Sequence, residues 1–337
     1  MKTQVKLFLK KLVGRKAVVL MYHRIAEPKS NVWDIAVSPA HFEAHLRLLK
    51  KLGTVVPLRE LAEKARNQQI KGIPIAITFD DGYLDNYAVA KPLLEKYQLP
   101  ATFFVSTGNI DAQKEFWWDE LEELILFSET LPSTADFEFR NERIAIDLTN
   151  EKTLTPETFQ THCQWNACLD APPTQRSKLF FDLWQNLKPL PYPEQQEYLG
   201  LIRRWANAPA KVRPDFTSMS IDQVKDLGSS PYFDLGAHTV SHPALAFHSK
   251  AFQKQEIQEN VQQLQKLTQS KIDLLAYPYG IFNQDTEEVA KELGFKAAFT
   301  TEERTVTNQS LPYQMSRYQV ANWGKEEFAK KLVQWIY

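Results

Sequence analysis

Cysteine is scarce in this chain: 337 residues contain two, Cys163 and Cys168. That excludes a disulfide-built secreted scaffold. Their spacing beside His162 is metal-like, but no second pair completes a ligand set, so helix packing is the better reading. A dominant charge of either sign is also missing. The formal net charge is −1 and the pI about 6.7, which leaves no electrostatic case for nucleic acid as a partner. No apolar run reaches the ~18 residues of a membrane span. Internal repeats and low-complexity tracts are absent as well. What remains is a chain with 43% hydrophobic content, long enough to bury one large core or two.

The N-terminus is basic and amphipathic. Val5, Phe8, Leu9, Leu12 and Val13 fall on one helical face, with Lys2, Lys6 and Lys10 opposite. No acidic residue precedes Glu27, and lysines break the apolar part, which lacks a small-residue cleavage site. The expected compartment is therefore the cytoplasm. Residues 1–16 either rest peripherally on the anionic inner face of a membrane or dock on their own domain.

Residues 73–83, IPIAITFDDGY, organise the rest. A fully apolar strand suits the centre of a parallel sheet covered on both faces. It runs into Asp80 and Asp81, which can share a site only where the strand ends and curls, and Gly82 permits that curl. The plain alternative is an Asp-Asp-Gly turn capping the next helix. Upstream, residues 17–23 form an apolar strand ending in His23. Ser38-Pro39 starts a helix burying Phe42, Leu46 and Leu49 and closing at Gly53. His41 and His45, four apart on that helix, read as a solvated face. A short strand over 54–58, a helix over 58–67, a helix from Asp81 to Tyr97 and a strand over 101–105 follow. This alternation predicts a parallel α/β architecture.

From Asp111 the rhythm changes. Residues 116–127 are helical, 137–148 form a hairpin around Asn141, and three proline-separated helices follow. We therefore divide the chain into a basic segment, 1–16, an α/β domain, 17–110 with 215–337, and a mostly helical insertion, 111–214. Trp117, Trp118, Trp165, Trp184 and Trp205 serve either as core or as a sugar-stacking platform. After Pro214, Ser220-x-x-Gln223 caps a helix ending at Gly228. A short strand then runs into His238 and His242, whose spacing sets both imidazoles on one side of a turn, suited to gripping one cation. A helix over 249–269 turns Ile257, Val261 and Leu264 inward. Strands over 274–280, 297–301 and 315–320 and a terminal helix on Phe328, Leu332, Trp335 and Ile336 complete the pattern.

TFDDGY, HTVSHP and YPYG, in that order and each at a strand end, resemble the polysaccharide deacetylase family with its NodB-homology domain. The resemblance covers roughly 17–110 and 215–320. It implies a distorted (β/α) barrel with its site at the C-terminal mouth of the strands, Asp80 as general base, and Asp81, His238 and His242 holding one divalent metal, zinc by preference. Two departures matter. Many members carry an arginine where Ala276 stands, and Arg317 is our candidate to orient Asp80 instead. Many end with a Leu-x-His motif supplying the general acid, yet the last histidine here is His248. LMYHRI, residues 20–25, instead resembles the N-terminal placement in a permuted branch acting on exopolysaccharides, which makes His23 the expected acid. Tyr83 is expected to offer a backbone donor, and Tyr279, Trp117 and Arg317 to contact the saccharide. The implied activity is metal-dependent removal of acetyl groups from an N-acetylated, or O-acetylated, saccharide or polysaccharide. The alternatives are metal-independent hydrolysis of another carbon–nitrogen bond and an inactive saccharide-binding module.

Overall fold

The computed structural model describes residues 15–140, 142–208 and 211–336. The basic segment 1–16 therefore lies almost wholly outside the described residues. No helix among the described residues is long and apolar enough to cross a membrane. Two compact units are present: one within Met1–Glu27, Ile35–Ala112 and Ser218–Tyr337, the other comprising Pro28–Asp34 and Gln113–Thr217. The described strands, in chain order, are β1 (Lys16–Tyr22), β2 (Ile75–Phe79), β3 (Ala101–Val105), β4 (Thr134–Glu138), β5 (Arg143–Asp147), β6 (Phe233–Ala237), β7 (Leu274–Ala276), β8 (Ala297–Phe299), β9 (Val306–Thr307) and β10 (Tyr318–Gln319).

The first unit is built on a curled parallel sheet ordered β10-β1-β2-β3-β6-β7-β8, with β9 antiparallel against the start of β1. Apolar runs such as IAITF and ATFFV are buried along their whole length, as central parallel strands must be. Their side chains divide by twos between two cores. Val18, Leu20 and Tyr22 of β1 and Ile75, Ile77 and Phe79 of β2 pack in the larger cluster, with Phe42, Leu46 and Leu49 of helix Pro39–Leu52. Ala17, Val19 and Ala76 turn the other way, toward Phe104, Ala276, Ala297 and Phe299. The many alanines on this second face leave room for the sheet to curl. Residues 312–319 join the two ends of the order: Met315 N donates to Ala298 O (2.9 Å), and Tyr318 then pairs with Leu20 of β1. This is the α/β, distorted-barrel architecture expected from the sequence.

The second unit holds the β4–β5 hairpin and helices Trp117–Leu126, Pro156–Gln164, Gln175–Leu187 and Tyr192–Trp205. Fully buried Arg176 ties it together, donating to Glu151 O (2.7 Å), Ser128 O (2.6 Å) and Lys152 O (2.9 Å). Free Cys163 and exposed Cys168 make no disulfide, and His162 is spent on Leu126 O and Thr174 Oγ1.

Three local expectations need correction. The strand expected over 54–58 shrinks to a single bridge, Val55 to Ile75, because Pro57 has no N–H to extend it. The helix after Asp81 is not continuous: a π-turn, Asn86–Ala90, precedes Lys91–Tyr97. His45 is not solvated. It is fully buried between Tyr22 Oη (3.1 Å) and Trp323 O (2.7 Å), its ring stacked on Phe328. The C-terminal helix occupies the side of Pro39–Leu52 that the helix read alone leaves open to water.

Candidate active site

Ala76, Thr78 and Asp80 share one face of β2 and its continuation, and that face meets Arg317. The ladder to β1 runs one residue past the strand, Asp80 N donating to Tyr22 O (3.0 Å). Arg317 Nη1 and Nη2 donate to Asp80 Oδ1 and Oδ2, each at 2.7 Å, a two-point grip that fixes the plane of the carboxylate. The guanidinium is itself oriented by Thr300 O (3.1 Å) and Thr78 Oγ1 (3.3 Å), and lies 5.4 Å from the Phe104 ring centre. Burial opposes the charge on Asp80, but Arg317, with His238 and His23, holds its carboxyl below the ordinary carboxylate range. Arg317 has no exposed surface, so its reach ends at Asp80 rather than at a saccharide.

Asp81 turns back instead of continuing the strand. Its φ is 72° and that of Gly82 is 89°, with Gly82 N donating to Asp80 O (2.9 Å). Asp tolerates this left-handed region and Gly adopts it freely. Two successive carboxylates thus reach the same end of the sheet. His238 follows β6 in the same way. Thr239 (φ 65°) and His242 (φ 58°) then fold the chain so that the two imidazole centres are 4.8 Å apart.

Each imidazole Nε2 is 3.3 Å from Asp81 Oδ1, and one ligand atom from each of the three residues lies within 4.8 Å of the others. His238 Nδ1 is 2.8 Å from Ala276 O. A carbonyl can only accept, so Nδ1 carries a proton, and in the neutral form of the ring the Nε2 lone pair faces the carboxylate. Among the described residues, buried Asp81 Oδ1 has no hydrogen-bond partner beyond these two contacts. A positive charge placed among these three groups would satisfy them together. One carboxylate and two imidazoles, with coordination positions left over, suit zinc or a similar divalent cation, and a backbone carbonyl orienting the ligand imidazole is the usual outer partner. Burial opposes ionisation of Asp81, yet the two imidazoles hold it far below its ordinary value. Burial likewise opposes protonation of His238, whose pKa Asp81 and Asp80 nevertheless raise, while for His242 burial wins and lowers it.

His23 directly follows β1. Burial lowers its pKa against the pull of Asp81 and Asp80, and its buried Nδ1 has no hydrogen-bond partner among the described residues. A network the sequence reading missed secures its turn. Asn86 Nδ2 donates to His23 O (2.6 Å), while Asp85 accepts from Ile25 N (2.9 Å) and Arg24 Nε (3.1 Å). The visible signal was an Asp-Asn pair opening the helix after the double aspartate. π-turns such as Asn86–Ala90 recur at functional sites.

The remaining expected contacts fare differently. Tyr279 is half-buried in a left-handed conformation (φ 58°), its ring edge-on to His242 at 4.5 Å. The side chain of Tyr83 is fully buried, with the Arg24 guanidinium 4.8 Å from its ring centre, which leaves its backbone as the part that could serve as the expected donor. Trp117 belongs to the second unit, 4% exposed and packed edge-on against Trp118. It has little face to present.

Comparison with known proteins bears on the family and the fold. The family model for polysaccharide deacetylase matches residues 67–132 and 201–298. YxkH of Bacillus subtilis is 32% identical over 111 residues, which are 32% of this chain and 38% of that protein, well under two thirds of its length. Poly-beta-1,6-N-acetyl-D-glucosamine N-deacetylase of Staphylococcus aureus is 21% identical over 328 residues, 94% of this chain and 82% of that one. Among solved structures, the Streptococcus pyogenes deacetylase PplD in complex with acetate superposes with a TM-score of 0.57 at 20% identity, over 96% of this chain and 98% of that one. IcaB from Ammonifex degensii gives 0.57 at 18% identity over the same shares. At such identities the structural likeness speaks for the fold alone.

Proposed function

We propose that this chain, matched by the polysaccharide deacetylase family model over residues 67–132 and 201–298, hydrolyses the acetamido groups of a polysaccharide containing N-acetylated amino sugars, releasing acetate and leaving free amines. The observation that carries this reading is the convergence of Asp81, His238 and His242 on one point at the strand ends that also present the Arg317-gripped Asp80. The named specificity of the Staphylococcus aureus relative supports the choice of N-acetylglucosamine polymers as substrate class.

In this reading Asp81 Oδ1, His238 Nε2 and His242 Nε2 hold the divalent cation, by preference zinc. When bound, it supplies Lewis-acid polarisation of the acetyl carbonyl and makes water a better acid near neutral pH. Asp80 accepts the proton of the attacking water as the new carbon–oxygen bond forms. Its low pKa keeps it ionised and ready, and Arg317 keeps its plane from rotating away. His23, on the neighbouring strand end, donates a proton from its imidazolium form to the nitrogen as the carbon–nitrogen bond breaks; burial makes that form scarcer but a stronger acid, and an amine expelled as its anion is too unstable to leave. Ala276 O holds the His238 tautomer, and Tyr279 beside His242 is the aromatic surface for the sugar. Acetate release from an N-acetylglucosamine oligomer, with and without chelator, tests this. Release that chelator leaves untouched rules out the metal-dependent reading.

A further inference from the structure

Sequence reasoning read helix Lys250–Thr268 as an apolar stripe with a polar remainder, yet two of its polar side chains, one turn apart, are spent on the turn between His238 and His242. Asn260 is fully buried. Its Oδ1 accepts from His238 N (3.1 Å), and its Nδ2 reaches Thr239 O (2.5 Å), Val105 O (2.9 Å) and Thr107 Oγ1 (3.2 Å). It thereby ties the end of β6 to the end of β3. Glu256 is half-buried and accepts from Val240 N (2.9 Å) and Ser241 N (2.8 Å) through Oε2, and from Ser241 Oγ (2.7 Å) through Oε1. Between them the two residues hold the backbone from His238 to Ser241.

This stretch is where the backbone is least comfortable. Thr239 is β-branched and sits at φ 65°, and His242 sits at φ 58°. Such conformations persist only where surrounding contacts over-determine them. Without the clamp the turn relaxes toward ordinary dihedrals, and the two imidazoles separate. Glu256 receives donors on both oxygens; a glutamine can keep these contacts, its oxygen accepting from the two backbone N–H groups and its amide donating to Ser241 Oγ, whereas an alanine removes all three. Asn260 both accepts and donates, which neither aspartate nor leucine can copy.

We infer that Glu256 and Asn260 are positioning residues that hold the strained 238–242 turn in the geometry that binds the cation, and so set metal affinity from outside the ligand set. The inference rests on the metal site described under the proposed function. Loss of an outer partner of this kind weakens metal binding by about 10–100-fold. The test uses the whole protein and Zn²⁺ alone, with affinity read by competition against a chromophoric chelator. Glu256→Ala and Asn260→Ala are compared with Gln253→Ala. Gln253 is an equally buried polar residue of the same helix, bonded to His248 O (2.9 Å) and Thr286 Oγ1 (2.6 Å) and not to the turn. The expected result is Zn²⁺ affinity about 10–100-fold weaker in the first two variants and unchanged in the third. Turnover should return when zinc is raised to saturation, with KM unaltered. Because Glu256 is half-buried, its variant gives the answer even if Asn260→Ala fails to fold. Unaltered affinity in Glu256→Ala, or an equal loss in Gln253→Ala, overturns the inference. If the unchanged protein binds no Zn²⁺, the metal site itself is refuted.

Discussion

At the scale of single residues, Arg317 and His23 show how differently a chain can supply one chemistry. Arg317 is far in sequence from Asp80 yet meets it with two 2.7 Å bonds, because β10 lies next to β1 and β1 next to β2. His23 is placed by a strand end, and its turn is held by Asn86 and Asp85. On the proposed mechanism, His23→Ala keeps the fold and the metal but lowers amide turnover by about 10²–10⁴-fold. The loss should be smaller on an activated aryl acetate, whose leaving group needs little protonation. Amide turnover within a few-fold of the unchanged protein would remove His23 from its role. The carboxylates and histidines were legible in the sequence because each sits at a strand end in a recognisable string. Arg24, Asp85 and Asn86 were not, since their partners are local in space but about 60 residues apart in the chain.

At the scale of elements, the site is made by turns that leave their strands through left-handed residues: Asp81-Gly82, Thr239 with His242, and Tyr279-Gly280. Gly280 has φ 67°, and a Cβ there would meet the Thr301 side chain and lie 2.8 Å from its backbone N. Gly280→Ala should therefore destabilise the fold by about 1–3 kcal/mol through overpacking and strain, as chemical denaturation would measure. It should also disturb the Tyr279 ring against His242. Stability equal to the unchanged protein would mean the turn is softer than described. Strand and helix positions were readable from period and caps, as with Ser38, Ser220 and Gly53. The left-handed turns between the histidines were hidden, because Thr carries no signal for positive φ and His only a weak one.

At the scale of the whole molecule, segregation into two units is only partly written in the sequence: the shift at Asp111 is visible, but nothing marks Pro28–Asp34 as packing with residues 113–217. Lys29 with Glu123 and Ser30 with Glu122 bring that segment there, across about 90 residues of chain. Global stability should also carry the mark of His45. Burial lowers its pKa from 6.5 to about 4. The unfolded chain therefore takes up a proton first as pH falls, so stability is full above about 6.5 and declines from there toward 4. That contribution is on the order of 3 kcal/mol, and His45→Phe should flatten this part of the stability-against-pH curve in urea titrations. An unchanged slope would assign the acid sensitivity to other buried histidines. The central claim, that Asp80 performs hydrolysis beside a cation held by Asp81, His238 and His242, is met most directly by one paired measurement on Asp80→Asn. Bound zinc and acetate released from an N-acetylglucosamine oligomer are measured on the same preparation. The account predicts zinc at one per chain and acetate release lost; full acetate release by that variant would contradict it.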